Sequence, residues 1–170
     1  MAARARSRAR ASRSQVGAYV LAAAGLVLLI GFLAPFANLP IDSLWIGVLF
    51  HAGMAIGFGL LAATMVGSER GAAAVAAAGW AVRLISFFVP LGILVDIANL
   101  AAVFGGLVAA LLLTAGRSRG GAGALVIAML LVVAFVYPML IAFAPLVVLQ
   151  AISPLLGVAL VVAGILLPRR

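Results

Sequence analysis

The chain has 170 residues, a formal net charge of +8, 68% hydrophobic residues and only 8% charged ones. A water-soluble domain carries roughly 45–50% apolar and about 25% charged residues, so this composition excludes a soluble enzyme and a disordered chain. Cys and Lys are absent and His51 is the one histidine, which removes disulfides, thiolate metal sites, lysine Schiff bases and a bis-histidine haem within one chain.

The reading is an all-α integral membrane protein, taken here from the N-terminus. Residues 1–15 are a basic tail with Arg4, Arg6, Arg8, Arg10 and Arg13. The apolar run after it is too long for a secretory signal and ends without a clear cleavage site. On a helix the alternating Arg residues spread around the axis, unlike the stripe of a mitochondrial presequence. The tail is expected to lie on anionic lipid as a topology anchor, with no nucleic acid as partner.

A spanning helix needs about 20 apolar residues. Runs over 16–37 and 44–66 meet that length, with a polar break at 38–43. The next two apolar stretches, 72–115 and 122–167, would each make a helix about twice as long as the ~30 Å hydrocarbon core. Pro90, Leu91 and Gly92 divide the first into helices over 72–90 and 94–115, because Pro and Gly disfavour continued helix. The second divides between Pro145 and Pro154 into 122–144 and 149–168. The expectation is therefore one domain of six transmembrane helices over 16–168, followed by a basic end at 169–170.

With six spans, every Arg except Arg83 falls on one side: the tail, Arg70, Arg117, Arg119, Arg169 and Arg170. The positive-inside rule makes that side, and both termini, cytoplasmic. The expected location is a prokaryotic plasma (inner) membrane.

An internal repeat is visible. Residues 29–35 (Leu-Ile-Gly-Phe-Leu-Ala-Pro), 84–90 (Leu-Ile-Ser-Phe-Phe-Val-Pro) and 132–138 (Val-Val-Ala-Phe-Val-Tyr-Pro) share aliphatic, aliphatic, small, Phe, x, x, Pro. Each copy lies toward the outer end of an odd-numbered helix. Asp42 and Asp96 follow the first two copies at similar distances. The pattern predicts three parallel helical hairpins related by an axis along the membrane normal. Small residues at Ala18, Ala22, Gly53 and Gly57 are expected to let helices pack closely.

Polar residues gather in the outer half. Arg83 lies near the centre of its expected helix, where an unpaired Arg costs about 2.5–3.5 kcal/mol. Asp96 is the expected ion-pair partner and Asp42 the alternative. Ser86, Asn99, His51 and Tyr137 stand at a similar level, and Trp80 is placed to stack on Arg83. Two readings follow. In one, these groups satisfy each other as a structural network. In the other, they line an outward-opening cavity in which Arg83 holds a small, possibly anionic, solute for binding or translocation.

His51 has only Asp42 and Asp96 as candidate co-ligands, too few for the usual three or four. No metal site is read, and a proton-carrying role suits the imidazole better. There is no Gly-x-Ser-x-Gly elbow, no P-loop and no carboxylate pair on one helix. No enzyme and no cofactor are expected. A different class of reading is an accessory subunit that packs through its Ala and Gly faces against a membrane partner or a second copy. The size, six-helix layout and Ala18-x-x-x-Ala22 resemble the substrate-binding components of energy-coupling-factor vitamin transporters. That resemblance implies a ligand in the outer half and a partner contact on the first helix, as an analogy of architecture.

Overall fold

A computed structural model describes residues 2–115 and 146–166, which are helices and their connections with no strand. The helices are α1 (Ala2–Leu33), α2 (Ser43–Thr64), α3 (Gly67–Ile85), α4 (Leu94–Ala115) and α5 (Leu146–Leu166). Gln15–Leu33, Ser43–Thr64 and Leu94–Leu112 are long and apolar enough to cross a membrane, and Ile152–Ile165 is a shorter apolar stretch. The helix expected over 122–144, with its copy of the repeat and Tyr137, lies outside the described residues.

Helix ends differ from the hydropathy boundaries for local reasons. α1 begins at Ala2 and runs through the Arg-rich segment expected as a tail. Ala and Arg are both strong helix formers, and no Gly or Pro interrupts them before Gly17. α1 ends at Leu33 and not at Ala37, because Pro35 follows. Asn38 then adopts a left-handed conformation at φ 51°, and Leu39 N donates back to Ala34 O at 2.9 Å. Asp42 caps α2: its carboxylate accepts from Leu44 N at 2.8 Å.

The connection from α2 to α3 is only Met65 and Val66. The Gly67–Gly71 stretch that hydropathy assigns to a loop is instead the start of α3. Glu69 in that first turn faces the positive end of the helix dipole. At the other end α3 stops at Ile85, short of Pro90. Ser86 Oγ donates to Arg83 O at 2.7 Å, and the following amides tighten into turns over Leu84 and Ile85. Gly92, at φ 54°, supplies the left-handed step before α4.

Contacts between helices pair residues of rising number with residues of falling number, so neighbours are antiparallel. The described helices form a series in which α5 packs on α1, α1 on α2, α2 on α3 and α3 on α4. Met54 of α2 is fully buried at the centre, beside Phe50, Phe58 and Trp80.

Small residues set the distances. A Cβ added to Gly53 would stand 2.8 Å from Ala24 Cβ, and one on Gly57 would stand 2.6 Å from Leu21 and 3.3 Å from Gly17 O. Between α3 and α4, a Cβ on Gly79 would lie 2.6 Å from Ala98 O, and one on Gly105 would lie 3.0 Å from Ala72 O and 2.6 Å from Ala76 N. The register that aligns Pro35 with Pro90 also aligns Gly17, Leu21 and Ala24 with Ala72, Ala76 and Gly79. The positions of α1 that meet α2 thus correspond to the positions of α3 that meet α4. A different face of α1 meets α5: Ala18 and Ala22 close on Gly164, and Gly25 on Gly157.

Candidate functional site

His51 lies as far before Thr64 as Trp80 lies after Gly67, about 20 Å along each helix at 1.5 Å per residue. Because α2 and α3 rise from one short link, equal lengths bring the two side chains level. Their ring centroids are 5.3 Å apart with 65° between the planes. Phe50 sets its edge against Trp80 at 5.4 Å and against His51 at 5.3 Å. Phe87, from the turn after α3, closes on His51 at 5.1 Å. It fits there because Gly47 has no side chain; a Cβ would stand 2.7 Å from the Phe87 ring. Edge-to-face pairs of this kind contribute about 0.5–1.5 kcal/mol each beyond burial.

Phe50 and Trp80 are 6% exposed and His51 is 8% exposed. His51 Nδ1 donates to Gly47 O at 2.7 Å. A carbonyl oxygen only accepts, so Nδ1 carries the hydrogen, and in the neutral ring Nε2 keeps its lone pair as an acceptor.

Arg83 is half-buried and occupies the last turn of α3, not the middle of a helix. The early end of α3 accounts for the difference. Its charge there is favourable to the negative end of the helix dipole. The expected ion pair with Asp96 is not formed: among the described residues no acid pairs with Arg83, and its Nε is buried without a hydrogen-bond partner. Trp80 Nε1, three residues earlier on the same helix face, is likewise buried and unpartnered. Trp80 turns its ring to Phe50 and His51 instead of stacking under Arg83.

The other expected members stand apart. Asp42 is exposed and serves as the cap of α2. Asp96 is exposed in the first turn of α4. Asn99 is half-buried, one turn further on, and no hydrogen bond ties it to the cluster. Ser86 is half-buried and satisfied by its bond to Arg83 O. Tyr137 is outside the described residues. Sequence reasoning did not single out Phe50 and Phe87. Phe50 adjoins His51 and Phe87 belongs to the repeat motif, but neither carries a polar signal.

Among the described residues no three His, Asp or Glu side chains converge as a metal site would require. What the cluster offers is one cation, two unpartnered N–H donors and one lone-pair acceptor among aromatic rings. Such a set can hold an oxyanion. An unpaired buried N–H costs about 1–3 kcal/mol.

No protein-family model matches the chain, and neither the curated proteins nor the solved structures yield a match.

Proposed function

We propose that this chain binds, and in moving it translocates, a small anionic solute at Arg83. The observation that carries the reading is the pair of buried, unpartnered donors, Trp80 Nε1 and Arg83 Nε, beside a cation with no acid partner among the described residues. A bound anion relieves both the orphaned donors and the uncompensated charge.

The proposed setting is a six-helix protein of a prokaryotic plasma membrane with both termini cytoplasmic and the Arg83 cluster in the outer half. Topology supports the sixth helix. α4 and α5 both run antiparallel to their neighbours α3 and α1, so both point the same way along the stack. A sixth span over 122–144 is proposed to connect them. Three parallel hairpins are proposed as the underlying plan, supported by the matching contact positions of α1 and α3. The basic end of α1 is proposed to rest on anionic lipid.

The accessory-subunit reading has less support. Ala18, Ala22, Gly53 and Gly57 are engaged by helices of this same chain, which leaves those residues little surface for a partner.

The test is the native mass of the gently solubilised protein. A small-molecule adduct on the wild type that is lost in a folded, inserted Arg83→Ala variant is the expected result. A bare chain that carries a second protein, unchanged by Arg83→Ala, would overturn the solute reading and favour the accessory one.

A further inference from the structure

We propose that residues 122–144 pack as one helix between α4 and α5 and so close the described helices into a ring of six. The inference goes beyond the anion reading at Arg83 and does not depend on it. It rests only on the proposed span over 122–144.

The described stack curls to one side. Successive residues stand about 100° apart around an α-helix, so the contact positions on each helix give the angle between its two neighbours. α1 meets α2 through Gly17 and Ala24, and α5 through Ala22 and Gly25. α2 meets α1 through Gly53 and Gly57, and α3 through Phe50 and His51. α3 meets α4 through Ala76 and Gly79, and α2 through Trp80. On all three helices the two neighbours are roughly 70–120° apart, where a flat row would need about 180°. The turn keeps one hand: the phase runs one way on α1 and α3 and the other way on the antiparallel α2.

The two end helices carry the same curl forward. α4 meets α3 through Ala98, Ala102 and Gly105. Val103, Gly106 and Leu107 are also buried, on a face about 120° away. α5 meets α1 through Gly157 and Gly164, and Ile152, Ala159 and Ala163 are buried about 130° away. Val103, Leu107 and these three α5 residues lie outside the core cluster of the described helices. The offsets run in opposite senses on two helices that point the same way, so the two faces look toward each other across the open side of the curl. The exposed Leu100 and Val108 of α4, and Leu155 and Val158 of α5, fall on the convex side.

The chain itself supplies the cover. The segment 122–144 is apolar, follows α4 and precedes α5, and as a helix is about 34 Å long. The repeat gives its register. Gly25, which meets α5, aligns with Trp80, which meets α2, and Trp80 aligns in turn with Ala128. Ala128 and Leu125, three residues earlier, are therefore assigned to α4. Ala24 and Gly79 align with Ile127, which assigns Ile127 and Ala124 to α5.

The chain has no Cys, so paired substitutions test this in intact membranes, with a thiol oxidant and peptide mass spectrometry. Val103→Cys is expected to link within one chain to Leu125→Cys or Ala128→Cys, and Ala163→Cys to Ala124→Cys or Ile127→Cys. The crossed pairs should link at least fivefold less. If Val103→Cys or Ala163→Cys does not fold, Asn99→Cys with Ala128→Cys and Ala159→Cys with Leu131→Cys take their place. Links to α4 alone, to α5 alone or to neither would leave the ring open and overturn the inference. Disulfide-linked dimers of the Val103→Cys single variant, with no intrachain link, would show that a second copy covers the face and would overturn it too. None of these results bears on the anion site, which the adduct lost on Arg83→Ala reads separately.

Discussion

His51 of α2 and Trp80 of α3 meet ring to ring at 5.3 Å because they are equidistant from the two-residue link between their helices. The link sets the level, and Gly47 lets Phe87 close over the imidazole. The cluster is thus a product of helix length, link length and one missing side chain. Its bond from Nδ1 to Gly47 O is the one hydrogen bond of His51 among the described residues. His51→Phe keeps the aromatic contacts and removes that bond, so it should cost about 0.5–1.5 kcal/mol. Denaturant titration of the folded protein in detergent reads this. A loss several times larger would mean that the imidazole has a further partner.

Arg83 and Asp96 should behave as independent sites. Neither pairs with the other, and sites without shared partners add within about 0.3–0.5 kcal/mol. A double-mutant cycle of Arg83→Gln and Asp96→Asn, followed by unfolding, measures the coupling. A coupling above about 1 kcal/mol would restore the ion pair that the structure lacks.

Asp42→Ala should lower stability by about 1 kcal/mol through loss of the cap on α2. Asp42→Asn retains an oxygen acceptor and should recover most of it. Neither change should alter anion binding at Arg83, because Asp42 caps α2 and does not pair with Arg83. Altered binding in Asp42→Asn would place this carboxylate in the site.

Gly79 and Gly59 should respond in opposite directions to the same methyl group. At Gly79 the new Cβ meets the backbone of Ala98 and Ala102, which cannot rotate away, so Gly79→Ala should cost about 1–3 kcal/mol. Gly59 has nothing within 4 Å, so Gly59→Ala should gain about 0.5–1 kcal/mol from helix propensity alone. Thermal unfolding of both variants in one detergent separates them. Equal shifts would mean that α3 and α4 are not packed this closely.

Ala22→Leu should destabilise this chain itself. Ala22 Cβ would be only 2.5 Å from a Cβ at Gly164, so a larger side chain pushes α1 and α5 apart. Size-exclusion chromatography and proteolysis should report a loosened monomer. A variant that melts normally but sheds a second protein would instead put Ala22 at a partner interface.

The sequence by itself determined the class of this protein. Few charges and long apolar runs give helices long and apolar enough to cross a membrane, whatever the topology. It also determined the breaks at Pro35, Asp42 and Gly92, which act on the backbone beside them, though not the link at Met65 and Val66 or the end of α3 at Ile85. Arg83, His51 and Trp80 were legible as unusual residues for the same reason: a polar group in an apolar run is costly wherever the run folds.

Only the tertiary structure decided who meets whom. Hydropathy placed Arg83 near mid-helix with Asp96 as partner; the early end of α3 put it in a last turn with no acid partner among the described residues. Ala18 and Ala22 were legible as small residues for close packing, but not that Gly164, far along the chain, is what packs against them. Phe50 and Phe87 carried no polar signal, yet both pack against His51. The rotation of a helix about its axis is set by contacts at Gly and Ala with distant segments, and no local pattern contains those.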